Sequence, residues 1–160
     1  MKIVVYGAGG HAKVVLDVLE KVGTCAIVGL LDDSAELAGD IRSGYRVLGG
    51  SALFHGLIEE GVKGMIVALG DNVRRRAVFD AARAAGFELV AAIHPSALLG
   101  SRVRIGAGSV LVAGVVVNID AEIGDNVIVN TSASVDHDCR VGAHVHLSPG
   151  VRLAGRVTVG

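Results

Sequence analysis

From Ile93 onward the chain repeats an apolar register in sixes: IHPSAL, LGSRVR, IGAGSV, LVAGVV, VNIDAE, IGDNVI, VNTSAS, VDHDCR, VGAHVH, LSPGVR, LAGRVT and a final VG. All twelve first positions, 93 through 159, are Ile, Leu or Val, and the fifth positions, from Ala97 to Val157, are Ala, Val, Ser or Cys. Second positions carry Gly100, Gly106, Gly124, Gly142 and Gly160, with Asn118, Asn130 and Asp136 among the substitutes. These types tolerate φ > 0 or support side-chain turns, so the second slot reads as the turning position. Three sixes make one triangular coil of 18 residues, with three short parallel strands around an aliphatic stack. The pattern predicts a hexapeptide β-helix over 93–160.

Before Ile93 the period is different. KIVVYG (2–7) reads as a strand and HAKVVLDVLEKVG (11–23) as a helix stopped by Gly23. CAIVGLLDD (25–33) is a second strand ending in two carboxylates. After a polar loop, Ser51 to Glu60 reads as helix, KGMIVALG (63–70) as strand, and DNVRRRAVFDAARAAG (71–86) as a helix with an Asp/Asn start and a Gly stop. FELVAAI (87–93) is the last strand. Strands alternating with helices imply a small Rossmann-like parallel βα domain over 1–92, so the fold is α/β followed by β.

Composition agrees with thin layers and tight turns. The hydrophobic class makes up 51% of the chain but aromatic residues only 3%, and 23 glycines are present. The longest apolar run, VLVAGVVV at 110–117, is far short of a bilayer span. The N-terminal MKIVVYGAGGHAK runs into a glycine loop where a leader would have its cleavage site, so it reads as the first strand of a cytoplasmic protein. Net charge is −1 with scattered basic residues, and Arg74–Arg76 reads as a solvated helix face, which argues against nucleic acid. Cys25 and Cys139 lie 114 residues apart and read as two reduced thiols.

Two clusters carry candidate chemistry. The first is the strand-to-helix turn Gly7–Ala8–Gly9–Gly10 followed by His11, whose N–H groups can cradle a phosphate at a helix N-terminus. Asp32 and Asp33 follow about 20 residues on, the usual place for a carboxylate that reads a ribose. Alone this suggests NAD, but the domain is too short for two mononucleotide halves, so NAD is not expected. The second cluster is NTSASVDHDCRVGAHVHLSPG (130–150), which holds His137, His144 and His146 at the third, fourth and sixth positions of their sixes. His137 and His146 are half a coil apart and cannot stack on one face of one chain, and the ligand spacings of structural zinc are absent, so no metal is expected. A general base or a turn residue remain as readings of each histidine.

The segments VVYGAGGHAKVV, ALGDNVRRR, AAIHPSALLG, VNTSASVDHDC and HVHLSPGV together resemble the left-handed β-helix acyltransferases. The closest similarity is to the PglD/NeuD-type bacterial sugar acetyltransferases, which place a Rossmann-like domain before the helix. The resemblance implies a left-handed coil, a homotrimer with clefts between adjacent helices, acetyl-coenzyme A as acetyl donor and a nucleotide-linked amino sugar as acceptor. It implies that the pyrophosphate lies on Gly9, Gly10 and His11, that Asp32 and Asp33 meet the base or ribose, and that Gly70, Asp71 and Asn72 close the pocket's edge. It further makes His137 the general base, Asp138 its acidic partner, His146 a residue at the acetyl-donor end, and the Gly155 N–H an oxyanion donor. His144 reads as a solvated turn residue, and Cys139, in an inward fifth slot, as a buried hydrophobe.

The expected function is N-acetylation of a nucleotide-linked amino sugar for surface polysaccharide biosynthesis. O-acetylation of a sugar hydroxyl, as in sialic acid, and a non-catalytic sugar-nucleotide-binding scaffold are the alternatives. The register stops two residues into a six at Gly160, whereas family members continue through coils that carry much of the acetyl-coenzyme A site. A C-terminally truncated chain is therefore expected.

Overall fold

The computed structural model describes residues 1–160 and divides into two units, Met1–Val90 and Ala91–Gly160. In the first unit β1 (Lys2–Tyr6) leads through the glycine turn into α1 (Gly10–Val22), followed by β2 (Ala26–Leu31). Helix α1 buries Ala12, Val15, Leu16, Val18 and Leu19 on one stripe and stops at Gly23, whose φ of 67° puts it in the left-handed region. The stretch read as a polar loop contains a hairpin, β3 (Ile41–Arg42) and β4 (Tyr45–Gly49). Its two-residue turn has φ of 49° at Ser43 and 83° at Gly44, the conformation that matches the twist of paired strands.

Ser51–Leu53 is a short 3₁₀ turn that runs into α2 (Phe54–Glu59). Then come β5 (Gly64–Val67), α3 (Asn72–Ala85) and β6 (Glu88–Leu89). The sheet order is β3-β4-β2-β1-β5-β6, and every pairing is parallel except β3 with β4. The sheet is therefore mixed rather than wholly parallel. Val4, Tyr6, Leu31, Met65 and Val67 pack with Phe54, Phe79 and Phe87 in one core. Phe54 meets Tyr6 and Phe87 edge-on, with centroids 5.8 and 5.4 Å away.

FELVAAI does not form one strand. Its Glu88–Leu89 pairs with β5, whereas β7 (Ala92–Ile93) begins the second unit. That unit is built of twelve two-residue strands on three faces. The first face stacks β7, β10 (Val110–Leu111), β13 (Ile128–Val129) and β16 (His146–Leu147). The second stacks β8 (Leu98–Leu99), β11 (Val116–Val117), β14 (Ser134–Val135) and β17 (Arg152–Leu153). The third stacks β9 (Arg104–Ile105), β12 (Glu122–Ile123), β15 (Arg140–Val141) and β18 (Thr158–Val159). Every pair is parallel with partners 18 residues apart, such as Val117 with Val135. First-slot Leu111, Val117, Ile123, Val129 and Val135 fill the interior with fifth-slot Val115, Ala121, Val127, Ala133 and Cys139. Ser109, the buried polar member of that column, donates to the Gly124 carbonyl at 2.7 Å and accepts from Val127 N–H at 3.0 Å.

The turning position is the fourth slot, not the second. Arg102, Asp120, Asn126, Ser132, Asp138, His144 and Arg156 all have φ between 56° and 65°, and fourth-slot Gly108, Gly114 and Gly150 join them. The second-slot glycines serve close approach instead. A Cβ on Gly106 would lie 2.4 Å from the Gly124 carbonyl carbon, and one on Gly124 would lie 2.7 Å from the Ala143 nitrogen. Coils stacked at strand spacing, about 4.8 Å, leave no room for it. No helix is long and apolar enough to cross a membrane.

Candidate active site

In the first unit the loops after β1, β2 and β5 meet at the carboxyl ends of the strands, where the order reverses about β1. This is the ligand crevice expected of an open α/β sheet. Gly7 makes the meeting possible, because a Cβ there would lie 2.7 Å from the Ala68 carbonyl oxygen. A cavity of about 380 Å³ lies at this point, and Gly9, Gly10, His11, Asp32 and Gly70 line it. Asp32 braces its floor: Oδ2 accepts from Ala8 N–H at 3.1 Å and Oδ1 from Ser34 N–H at 3.0 Å. The first N–H groups of α1 have no partners within the helix and the helix dipole is positive there, which favours an anion.

Three of the residues assigned to this pocket from sequence sit elsewhere. The Asp33 carboxylate accepts from Ser51 N–H at 2.8 Å and Ser51 Oγ at 3.0 Å, beside the Tyr6 hydroxyl. The Tyr6 hydroxyl first, then the Ser51 N–H, holds the Asp33 carboxyl below the usual aspartate range, while burial and Asp33 push the Tyr6 phenol far up. Asp71 caps α3 by accepting from Arg74 N–H at 2.7 Å. Asn72 Oδ1 accepts from Arg75 at 2.8 Å. All three shape the fold around the crevice rather than line it.

Two cations that sequence reasoning missed do line it: Arg42 from the hairpin and Arg74 from the first turn of α3. Both were legible in principle. IRSGYRV is a hairpin pattern, and the helix that follows a central strand presents its first turn to the crevice. Arg74–Arg76 is not one solvated face, since successive helical residues point about 100° apart. Arg75 is buried, at 1% exposure, and donates to the carbonyls of Leu69 and Gly70 at 3.2 Å each. Arg76 is exposed near Asp80 at 3.8 Å, and Arg74 is exposed at the cavity.

In the second unit the three histidines occupy different places on the triangle. His137 lies at the corner between the second and third faces, His144 at the corner between the third and first, and His146 on β16. His137 Nδ1 is 2.8 Å from Asp138 Oδ2, so the carboxylate reaches the ring directly. Its backbone N–H donates to Asp136 Oδ1 at 2.7 Å, and Asp136 also accepts from Asn118 Nδ2 at 2.8 Å. Those two donors, the His137 N–H first, keep the Asp136 carboxyl below its ordinary range. Gly155 stacks one coil beyond His137, and an ideal Cβ on it would lie 2.6 Å from Nε2.

His144 is not a bare turn residue. Its Nδ1 lies 2.8 Å from Nδ2 of the buried Asn126, one coil away. His146 Nε2 lies 3.1 Å from Asn130 Nδ2. An amide Nδ2 can only donate, so each of these two ring nitrogens is an acceptor in its contact, whereas His137 Nδ1 meets a carboxylate. A further concavity, about 520 Å³, lies over the third face beside Arg104, Glu122 and Arg140, and no histidine lines it.

A profile for the PglD N-terminal domain matches residues 2–82, and one for the bacterial transferase hexapeptide (six repeats) matches residues 120–155. The structure superposes with a TM-score of 0.92 and 44% identity on PerB from Caulobacter crescentus in complex with CoA and GDP-perosamine, covering 99% of this chain and 73% of that one. The chain belongs to the PglD-type branch of the hexapeptide-repeat acyltransferases. Its coil is the left-handed parallel β-helix of that family. The acetyltransferase domain of PglB from Neisseria gonorrhoeae FA1090 has a TM-score of 0.89 at 38% identity, with 99% of this chain and 76% of that one covered. The GDP-perosamine N-acetyltransferase of Escherichia coli O157:H7 is 24% identical over 160 residues, 97% of this chain and 71% of that protein.

Proposed function

We propose that the protein transfers an acetyl group from acetyl-coenzyme A to the amino group of a nucleotide-linked amino sugar, with His137 as general base. The observation that carries this reading is the 2.8 Å contact of His137 Nδ1 with Asp138 Oδ2, which leaves Nε2 as the nitrogen that takes a proton. The PglD-type family supports it, as do the relatives from Caulobacter and Neisseria, solved with CoA or acetyl coenzyme A, and the Caulobacter enzyme, which also carries GDP-perosamine. Bound acetyl-coenzyme A supplies an activated acyl carbon.

The rest of the work falls to the chain. His137 Nε2 accepts the proton that the sugar nitrogen loses as it forms its bond to carbon, and returns one to the departing sulfur. Asp138 holds the ring in the required tautomer and stabilises the imidazolium formed in between. The Gly155 N–H is the proposed donor to the carbonyl oxygen as charge gathers on it, and His146 is assigned to the donor end. In the first unit the N–H groups of Gly9, Gly10 and His11, with Arg42 and Arg74, suit a diphosphate. Asp32 suits a ribose or base, and the cavity wall at Gly70 bounds the ligand. The expected assembly is a homotrimer.

Steady-state kinetics with acetyl-coenzyme A and GDP-perosamine, alongside UDP-linked amino sugars and a hydroxyl-bearing sugar acid, tests the reading. His137→Ala should lose about 10²–10⁴-fold in kcat with acceptor KM little changed. A parental kcat in that variant, or turnover of the hydroxyl acceptor alone, would refute it.

A further inference from the structure

The third slot of the hexad carries a side chain at every coil corner but one. Ten consecutive third slots, from Pro95 to Pro149, hold residues as different as Ile119, Asp125 and His137, and the next is Gly155. The backbone does not require glycine there, since Gly155 is not among the residues with positive φ. What a side chain would meet is the imidazole one coil away. An ideal Cβ on Gly155 falls 2.6 Å from Nε2, 2.7 Å from Cε1 and 3.2 Å from Cδ2 of His137, and real Cβ atoms essentially never come within 3.0 Å of another heavy atom.

The His137 ring therefore leans along the helix axis into the volume that other coils give to a third-slot side chain. It cannot give way without cost. Nδ1 is held 2.8 Å from Asp138 Oδ2, the His137 N–H donates to Asp136 at 2.7 Å, and the His137 carbonyl accepts from Arg156 N–H at 2.9 Å. Turning the ring to relieve the clash moves Nδ1 relative to the carboxylate that sets the tautomer.

We infer that Gly155 is a positioning residue for His137, acting through the absence of a side chain: the gap seats the imidazole with Nδ1 on Asp138 and Nε2 free. The inference rests on the reading of His137 as the base. It is separate from any hydrogen bond that the Gly155 N–H makes, because alanine keeps that N–H. A one-methyl substitution thus divides the two roles.

The test is a double-mutant cycle of Gly155→Ala and His137→Ala in the whole protein, with the ¹⁵N signals of the His137 imidazole followed in Gly155→Ala. Gly155→Ala should lower kcat by a factor close to that of His137→Ala, about 10²–10⁴-fold, with acceptor KM little changed. In the His137→Ala background it should cost nothing more, because the clash has gone. Losses that multiply, a kcat for Gly155→Ala within about threefold of the parent, or an unmoved imidazole would each overturn the inference. If Gly155→Ala melts below the parent, a midpoint restored in the double variant supports relief of the clash, and one lowered equally in both backgrounds overturns it. A parental kcat in His137→Ala overturns the base reading instead, while the imidazole signals still report whether Gly155 seats the ring.

Discussion

Asp32 turns both oxygens onto backbone N–H groups beside the glycine loop, while its neighbour Asp33 faces Tyr6 and Ser51. The sequence pair at the end of β2 looks like two equivalent ligands, and the direction of each side chain is settled only by how the chain bends after Leu31. The pair's presence was legible; its division of labour was not, because it depends on Ser51, 18 residues away. Arg42 and Arg74 were missed for a related reason: basic residues scattered in sequence meet only where the loops converge. The sign of the Asp33 effect follows from its depressed pKa. Its contribution to stability is present above the ordinary aspartate pKa of about 3.9 and is lost as pH falls through the lower folded value. Asp33→Asn should therefore melt below the parent at pH 7, and the gap should close in the acid range. Asp32→Ala should weaken sugar-nucleotide binding by calorimetry while Asp33→Asn changes it little. A gap that is constant from pH 7 down to acid would show that the Asp33 charge does not matter to stability.

The β-helix was readable because its signal is repetition. Twelve aliphatic first slots without a slip define the coil, the interior and the three faces. The turning slot was misread because glycine is selected for two unrelated physical reasons, freedom at φ > 0 and close approach of a neighbouring chain, and composition alone does not separate them. Fourth-slot Arg, Asp, Asn, Ser and His accept the left-handed conformation because the corner demands it and the stacked ladder holds it, as where Arg102 clasps Asp120 through two bonds of 2.7 and 2.8 Å. The break within FELVAAI was hidden for the opposite reason, since the apolar run crosses from one sheet to another without a turn residue to mark it. Gly124 distinguishes the two reasons for glycine. A Cβ there meets backbone at 2.7 Å, so Gly124→Ala should destabilise the second unit by about 1–3 kcal/mol in thermal or urea unfolding, as overpacking against an unyielding neighbour does. An unchanged midpoint would mean that the coils can separate enough to admit a methyl group.

For the whole molecule, the narrowness of the coil is the decisive quantity. A triangle with two-residue strands buries first- and fifth-slot side chains but leaves its outward faces uncovered, and large apolar side chains remain exposed on one face and its corner: Leu98 at 66% and Ile119 at 40%. Ile119 stands in the third slot one coil before His137, so the apolar surface runs up to the base. Within one chain, His137 and His146 lie on different parts of the triangle, so a donor site that uses both requires a second helix alongside the first. The homotrimer expected for this family would supply one, with each His137 facing a neighbouring chain across a shared cleft. Light scattering at micromolar concentration should then give a mass about three times the chain's 16.3 kDa. Replacing Leu98 or Ile119 by Glu should shift that mass downward and reduce turnover, while sugar-nucleotide binding, assigned to residues of the first unit, persists. A stable monomer that retains full turnover would place the whole active site within one chain, and with it the assignment of His146 to the donor end would fall.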